Sequence, residues 1–250
     1  MEKDTLGLIR YYLTSPYPCA YLPDRHARSQ VATPTTLLTT ASYSELMRHG
    51  FRRSGELVYR PHCDTCRACV PVRIPINSFQ PDRTQRRALR RHGQLMPVMR
   101  GLQFFDDHFE LYQRYQSTRH PGGGMDGDNR EQFERFLLHS TLTTRLVEFR
   151  EILPSGPVLR MVSVIDQLDD GLSSVYTFFD PSDERASYGT FSILWQIETC
   201  RQLRLPYLYL GYWIRDCQKM TYKQRFHPLE GFIDQRWRLL TDDDFLQLGG

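Results

Sequence analysis

Three cysteines in the N-terminal third of this sequence are spaced as metal ligands often are. Cys63, Cys66 and Cys69 form a CxxCxxC run, and Cys19 is a candidate fourth ligand. Thiolates at this spacing suit zinc or an iron–sulfur cluster. The same residues could instead be reduced, buried thiols, or could form a disulfide on oxidation. Spacing alone does not choose between these interpretations.

A stripe of arginines indicates a polyanionic partner. Residues 82–92 are expected to form a helix, and five arginines in it recur at i, i+3, i+4, i+7 and i+8, so that they share one face. They are Arg83, Arg86, Arg87, Arg90 and Arg91. Like charges on one face repel each other, and RNA phosphates would relieve that repulsion. A basic face that is merely solvated is the alternative.

Two of the chain's three lysines stand together near the C-terminus. Lys219 and Lys223 flank Tyr222 in the run KMTYK, just after a strand expected over residues 206–213. Cations at the end of a strand could bind a carboxylate or a phosphate. A pair of exposed lysines is the alternative, and we favour the functional interpretation.

The elements that must position these residues follow from periodicity and turn chemistry. Apolar residues at helical spacing predict helices, and short apolar or alternating runs between Gly, Pro and Asp turns predict strands. The predicted helices lie within residues 35–49, 82–92, 104–119, 130–140 and 191–203. The predicted strands cover residues 55–61, 69–76, 144–150, 158–166, 172–180 and 206–213.

The order of these elements predicts an α+β fold. The strands over 144–150, 158–166 and 172–180 should form an antiparallel meander, because SGP and DDG turns join them. The last of them, the following helix and strand 206–213 then form a βαβ unit with a right-handed crossover. This order resembles the acyl-CoA N-acetyltransferase (GNAT) fold. We expect a GNAT-like domain over residues 81–250 and a smaller Cys-containing region, packed against it, over residues 1–80.

Composition indicates a soluble protein with a charge asymmetry. The chain has 250 residues and a net charge of +3. Residues 1–150 carry 22 Lys and Arg against 15 Asp and Glu, whereas residues 151–250 carry 10 against 14. A basic half suggests a polyanion docking on one side. The absence of a secretory signal and of an apolar run long enough for a membrane span predicts a cytoplasmic protein without membrane partners.

Four sequence blocks together resemble one protein family. They are PYPCAYLPDRHAR at 16–28, FRRSGELVYRPHCDTCRACVPVRI at 51–74, QRRALRRH at 85–92, and the segment from Tyr176 to Phe226. These blocks resemble the bacterial aspartate/glutamate leucyltransferases, which are related to the eukaryotic arginyl-tRNA–protein transferases. The resemblance implies transfer of leucine from leucyl-tRNA to the α-amine of proteins that begin with Asp or Glu, which marks them for degradation.

The chemistry implied by this resemblance is aminolysis of an activated ester. About a tenth of an α-amine is already neutral at pH 7, so positioning and oxyanion stabilisation matter more than a strong base. No covalent enzyme intermediate and no cofactor are required. The eukaryotic relatives hold a metal with cysteines of the corresponding N-terminal region, but here Cys19 is followed three residues on by Leu22 instead of a second cysteine.

Candidate site residues for this reaction follow from their positions around the expected cleft and from the charges that the substrates carry. Lys219, Tyr222 and Asp180 are the expected catalytic groups, although Asp180 could simply start the Asp-Pro turn. The loop before the helix at 191–203 should receive the tRNA 3′ end; it has a single glycine, which argues against coenzyme A, and it carries Asp183 and Glu184. Further residues expected to bind the substrates are Arg25, Arg73, Tyr176, Ser187, Gly189 and Lys223, with the arginine stripe binding tRNA.

Three other functions compete with this one. The chain could use arginyl-tRNA as donor with the same acceptors. It could be a small-molecule GNAT enzyme that uses acetyl-CoA, which a CoA-binding assay would reveal. It could also be a noncatalytic RNA-binding module with a cysteine–metal knuckle, in which case tRNA would bind without amino-acid transfer.

Overall fold

An eight-stranded, largely antiparallel sheet organises this protein, which we describe from a computed structural model covering residues 6–183 and 185–248. The strands are β1 Arg10–Leu13, β2 Tyr17–Pro18, β3 His26–Ala27, β4 Ser29–Thr33, β5 Arg52–Ser54, β6 Leu57–Pro61, β7 Val70–Pro75, β8 Met96–Arg100, β9 Thr144–Leu153, β10 Gly156–Gln167, β11 Gly171–Phe179, β12 Tyr207–Trp213, β13 Glu230–Ile233 and β14 Arg236–Leu239. The helices are α1 Thr40–Arg48, α2 Arg83–His92, α3 Asp106–Arg119, α4 Arg130–Phe133, α5 Tyr188–Gln202 and α6 Asp242–Gln247. A π-helical turn, Glu134–Leu138, continues α4, and 3₁₀ turns lie at Leu6–Leu8, Thr35–Leu37 and Thr221–Arg225.

The large sheet has the strand order β14-β13-β7-β12-β11-β10-β9-β8. The predicted meander is present as β9, β10 and β11, and β12 pairs with β11 in parallel through the crossover helix α5. The predicted mixed class of helices and sheet is confirmed. A strand from the N-terminal region, β7, lies inside this sheet between β12 and β13, antiparallel to both. The boundary near residue 80 stays a prediction.

Helices cover both faces of the large sheet, because side chains along its strands point alternately to one face and to the other. Along β10, Met161 and Ile165 belong to the core cluster beneath α5, whereas Val162 and Val164 belong to the cluster beneath α3. Side chains at successive strand positions point to opposite faces, so one strand supplies both cores. No helix among residues 6–183 and 185–248 is long and apolar enough to cross a membrane.

A second, four-stranded sheet of order β1-β4-β6-β5 packs with α1 against the large sheet. Its core includes Tyr43, Met47 and Val58, and Tyr209 of the large sheet belongs to the same cluster. The buried Arg53 guanidinium binds Asp166 through two nitrogens, at 2.6 and 2.8 Å. This ion pair joins β5 of the small sheet to β10 of the large one.

The parallel pair β11–β12 separates soon after it begins. Only residues 171–173 of β11 pair with residues 207–209 of β12. The start of this pair is tight, because a Cβ on Gly171 would lie 2.4 Å from the carbonyl oxygen of Tyr207. Farther along β12, Gly211 has φ +72°, a conformation that few residues other than glycine adopt. Residues 174–179 of β11 and residues 210–213 of β12 do not pair with each other, and we call the space between them the cleft.

Candidate active site

Lys223 lies buried at the β12 side of the cleft. Its ammonium group donates a hydrogen bond to the backbone carbonyl of Tyr212 and lies 3.1 Å from the Met220 sulfur. Only 3% of the residue is exposed. Burial, followed by the charge of Arg52, lowers the pKa of Lys223 to about 7, so the group is partly neutral at physiological pH.

Tyr222 and Tyr115 bring the two sides of the cleft together. Although 43% of Tyr222 is exposed, desolvation of its hydroxyl and the neighbouring Tyr115 phenol raise its pKa to about 12. Tyr115 belongs to α3 and packs edge-on against Phe179 of β11, with ring centroids 4.9 Å apart. The Tyr222 hydroxyl therefore remains protonated at neutral pH and can donate a hydrogen bond.

Lys219 lies near His120, which follows α3 on the opposite side of the cleft. The pKa of His120 is lowered by burial and then by the positive charges of Lys219 and Arg119. This histidine stays largely neutral at neutral pH, and Lys219 supplies a cation at the mouth of the cleft. His120 is not among the residues that the sequence pattern singled out.

Arg52 is a further cation of the site, and sequence reasoning missed it. A Cβ on Gly211 would lie 3.3 Å from one guanidinium nitrogen of Arg52, and the guanidinium carbon lies 5.8 Å from the centre of the Tyr212 ring. Desolvation lowers the pKa of Arg52, charge interactions with Tyr59, Tyr21 and Tyr212 raise it at the high pH where phenols ionise, and the pKa is raised overall. The group is therefore charged throughout the physiological range.

Arg52 and Arg53 have different partners because neighbouring side chains of β5 point to opposite sides of the strand. Arg53 turns to one side of the strand and pairs with Asp166, whereas Arg52 turns to the other side and meets Gly211 of β12. The run FRRSG precedes a segment that the sequence predicts to be a strand. If the run is extended as well, its two adjacent arginines must point in opposite directions. The sequence does not say which of the two finds a carboxylate.

Asp180 is held by local contacts at the end of β11. One carboxylate oxygen lies 2.7 Å from Arg160, and the other accepts a hydrogen bond from the Ser182 backbone at 3.1 Å, as in an Asx turn. Desolvation opposes ionisation, but the bonds from Ser182 and Arg160 lower the pKa of Asp180. A paired carboxylate of lowered pKa is a weak base, so the geometry favours the turn over the predicted catalytic role.

The N-terminus of α5 opens beside the cleft. Ser187 is the residue before the helix, with φ 59°, and its side chain makes no capping hydrogen bond to the part of the helix that the structure describes. Gly189 is two residues farther along the chain, and a Cβ at that position would lie 3.7 Å from the Phe179 ring. The first turn of α5 has no acidic residue in its sequence, so its N–H groups and the helix dipole can receive an anion. Asp183 of the preceding loop binds Arg91, whereas Glu184 lies outside the described residues.

Tyr176 lies on β11 at the α3 side of the cleft. Its hydroxyl accepts a hydrogen bond of 2.9 Å from the Gln116 amide, and burial raises its pKa. The Gln116 carbonyl oxygen is buried and has no partner among the residues described. Tyr176 is therefore oriented by α3, and its assignment as a substrate-binding residue stays a prediction.

The two arginines predicted to bind the acidic acceptor lie apart from each other. Arg73 is 7% exposed; it binds Glu230 at 2.7 Å, and its guanidinium lies 3.5 Å from the centre of the Tyr207 ring. Its charge is thus already paired. Arg25 is exposed, contacts the Cys66 sulfur at 3.4 Å and lines a surface cavity of about 360 Å³. The geometry gives neither residue a place in the cleft.

The arginine stripe lies on the exposed face of α2. The opposite face packs on α5, where His92 meets Tyr188 with ring centroids 4.5 Å apart, and Gln85 donates to the carbonyl of Arg225 in the last 3₁₀ turn. Arg91 binds the Asp183 carboxylate at 2.6 Å and the Arg185 carbonyl at 2.8 Å, so the end of the stripe reaches the loop that leads into α5. The stripe and the α5 N-terminus therefore form one continuous surface. All five arginines of the stripe are exposed: Arg83, Arg86, Arg87, Arg90 and Arg91.

The four N-terminal cysteines lie near one another as thiols. Burial, and then the nearby Cys63, Cys19 and Cys66, raises the pKa of Cys69 to about 12. Among the described residues, no group of three or more Cys, His, Asp and Glu side chains is arranged to hold a metal ion. The thiols as placed do not fit a zinc or iron–sulfur site, and we derive no step through one.

Comparisons with known proteins cover nearly the whole chain. The family model of the arginine-tRNA-protein transferase C terminus matches residues 107–233, and that of the N terminus matches residues 17–87. An aspartate/glutamate leucyltransferase of Nitrosospira multiformis is 55% identical over 94% of this chain and 92% of its own length. One of Polynucleobacter asymbioticus is 52% identical over 96% of this chain and 98% of its own length. The solved structure of L-PGS from Bacillus licheniformis covers 92% of this chain and 84% of its own at 10% identity, but its TM-score of 0.48 is too low to support a conclusion.

Proposed function

The chain belongs to the arginine-tRNA-protein transferase family, and within it to the aspartate/glutamate leucyltransferases, and from this premise we propose that it moves leucine from leucyl-tRNA to proteins that begin with Asp or Glu. The observation that carries the proposal is the 55% identity with a relative of that name over 94% of the chain. Tagging of acceptor proteins for degradation in the cytoplasm follows from the same premise.

The reaction is an exchange of one acyl bond for another. The neutral α-amine of the acceptor attacks the ester carbonyl carbon, and a C–N bond forms while the carbonyl oxygen gains negative charge. The C–O bond to the tRNA ribose then breaks, and the proton lost by the amine goes to the ribose oxygen. The atoms balance without an enzyme-bound intermediate, so the site must mainly orient two substrates and stabilise the oxyanion.

The cleft side chains have the properties that this reaction needs. The Tyr222 hydroxyl is protonated at neutral pH, and we assign it the hydrogen bond to the oxyanion or to the ribose oxygen. Lys219, at the mouth of the cleft, is assigned to the negative charge of the tRNA 3′ end. The N–H groups beside Ser187 and Gly189 are assigned to the same phosphates, because a helix N-terminus favours anions.

The exposed stripe on α2 gives the tRNA a path to this point. Its arginines would bind backbone phosphates, and Arg91 at its end contacts the loop before α5. The opening between β11 and β12 resembles the cleft of a GNAT-like acyltransferase. We infer from it that the aminoacyl ester enters from the α5 side and the acceptor N-terminus from the β12 side.

Transfer of labelled leucine tests the proposal directly. Leucyl-tRNA and, in parallel, arginyl-tRNA are offered with peptides that begin with Asp, Glu, Arg or Ala. Label on the Asp and Glu peptides from leucyl-tRNA alone is expected. Transfer from arginyl-tRNA would keep the chemistry and change the donor. Intact tRNA binding without transfer would contradict the proposal and favour a binding module, and acetylation with acetyl-CoA would favour a small-molecule enzyme.

A further inference from the structure

We propose that Arg52 binds the side-chain carboxylate of the acceptor's first residue, with Lys223 as the second cation of the same pocket. The identity of the acceptor rests here on the proposed function. One residue that the sequence pattern did not single out would then select Asp and Glu over neutral side chains.

Among the described residues, the Arg52 guanidinium makes neither an ion pair nor a hydrogen bond, although the residue is half-buried and its surroundings are desolvated. Several other buried or half-buried arginines of this protein bind a carboxylate, as Arg53 binds Asp166 and Arg73 binds Glu230. A cation removed from water without a partner is costly, and an anionic ligand would supply the missing partner.

The phenols around Arg52 carry no negative charge to offset it. Burial raises the pKa of Tyr21 to about 12 and that of Tyr212 well above its ordinary value, so both phenols are neutral at pH 7. The Tyr212 hydroxyl is already used, because it lies 3.1 Å from the Gly50 carbonyl and 3.2 Å from the Tyr59 carbonyl. The pocket is therefore positive and has apolar ring walls.

A second cation lies in the same place. Arg52 lies beside Gly211 and Lys223 binds the carbonyl of the next residue, Tyr212, and the charge of Arg52 lowers the pKa of Lys223, so the two groups repel each other. A carboxylate between them would remove the repulsion and would be held by the planar fork of the guanidinium. An Asn or Gln side chain of the same shape would leave both cations unpaired, and this favours discrimination by charge.

The pocket also lies where the acceptor must bind. Arg52 touches Gly211 and Lys223 touches the carbonyl of Tyr212, so both cations stand at the β12 side of the cleft. Tyr222, assigned to the oxyanion, is adjacent to Lys223 in the chain, with the ammonium 5.8 Å from its ring centre. A residue whose side chain reaches Arg52 would thus have its α-amine close to the reacting ester.

The test compares Arg52→Gln and Arg52→Lys with Arg236→Gln, which removes the same charge from an exposed position on the edge strand β14. With leucyl-tRNA saturating, the KM for an Asp peptide should rise roughly 10- to 100-fold in Arg52→Gln, as expected when a charged hydrogen bond is removed, with kcat nearly unchanged. Arg52→Lys should retain part of the binding, and Arg236→Gln should match the unaltered protein. The preference for Asp over Asn peptides should fall in Arg52→Gln.

Two further measurements separate the role of Arg52 from the proposed function. The affinity for leucyl-tRNA should be the same in all variants, which also shows that they are folded. A weaker tRNA affinity with an unchanged KM for the peptide would overturn the inference and assign Arg52 to a phosphate. Direct binding of a fluorescent Asp peptide, without tRNA, tests Arg52 even if no leucine is transferred; equal affinity in Arg52→Gln and the unaltered protein would overturn the inference.

Discussion

At the scale of single residues, the role of each cation is decided by the groups it meets. Arg73 is neutralised by Glu230 and sandwiched by aromatic rings, so it stabilises the fold around β7, β12 and β13. Arg160 is similarly occupied by Asp180. Within the described part of the chain, Arg52 and Lys223 meet only neutral groups and each other, which leaves both available to an anionic group of a substrate.

The pKa of Lys223 leads to a prediction on pH dependence. Because its pKa in the folded protein is about 7, its positive charge is present below that pH and is lost as the pH rises through it. The KM for an Asp peptide should therefore rise between about pH 6.5 and 8.5 in the unaltered protein. Of the groups that face Lys223, Arg52 and Cys69 both have raised pKa values, so they keep their charge states over this range.

The matched measurement uses Lys223→Met. The acceptor's own α-amine titrates near pH 8 and affects both proteins alike, so the ratio of their KM values isolates the lysine. Lys223→Met should bind the peptide more weakly at pH 6.5, and the two KM values should converge as the pH increases. A ratio that stays constant across the range would contradict a role for the Lys223 charge.

At the scale of the elements, α2 separates its two functions by face. Asp82 and Gln85 form a reciprocal cap at its N-terminus, and Ala88 and His92 pack towards α5. The charged residues are left for the outer face, and the fold continues that face onto the α5 N-terminus through Arg91. If the basic face of α2 were only solvated, it would not need to continue onto the surface beside the cleft.

Charge reversal on α2 tests whether this face binds tRNA. Arg86→Glu combined with Arg90→Glu should weaken binding of leucyl-tRNA, and the plot of log affinity against log salt should become shallower by about 0.7 to 0.9 for each phosphate that these arginines no longer neutralise. Filter binding at several salt concentrations measures both effects. The control is Arg204→Glu with Arg236→Glu, which changes charge equally at exposed positions outside α2. Unchanged affinity in the α2 variant would reject docking on this face.

Strand β12 shows how a single element can open a site. Its first residues pair with β11, and its register against β7 shifts between Tyr209 and Tyr212. Gly211 takes a positive φ at this shift, and its missing side chain leaves room for Arg52. The irregularity therefore separates β12 from β11 and, at the same position, leaves space for the Arg52 side chain of the small sheet.

At the scale of the whole molecule, the site depends on how the two sheets are joined. Arg52 comes from the small sheet, whereas Lys223 and Tyr222 lie in the connection between β12 and β13 of the large one. The ion pair between Arg53 and Asp166 holds the sheets in register, and Thr144 donates a further hydrogen bond of 2.6 Å to Asp166. Both charges are almost completely buried, so removal of either one leaves the other without a partner.

We therefore expect Asp166→Asn to destabilise the protein strongly. The free energy of unfolding in urea should fall by about 3 to 5 kcal/mol, the usual effect of breaking a buried ion pair. Asp64→Asn is the matched control, because Asp64 forms an exposed pair with Arg28, and the decrease should stay below about 1 kcal/mol. Similar decreases in the two variants would show that the Arg53–Asp166 pair does not stabilise the junction.

The local pattern of the sequence determined most of the elements and the family. Helices α2, α3 and α5 and the strands from β9 to β12 lie where periodicity and turn residues predict them, because those signals depend on neighbours within a few residues. The family follows from motif blocks, which are local as well. The exposed arginine face of α2 is a direct consequence of 3.6 residues per turn.

Only the tertiary structure decided which charged residues share the cleft. The insertion of β7 into the large sheet, the pairing of Arg73 with Glu230 and the approach of Arg52 to Gly211 all join segments more than 100 residues apart. Such contacts depend on how whole elements pack against one another. Arg52 and Arg53 are adjacent and share the same sequence neighbours, so the local sequence does not distinguish their roles. Arg53 pairs with a buried carboxylate, whereas Arg52 has no carboxylate partner among the described residues. The two residues differ because the two sides of β5 face different parts of the fold.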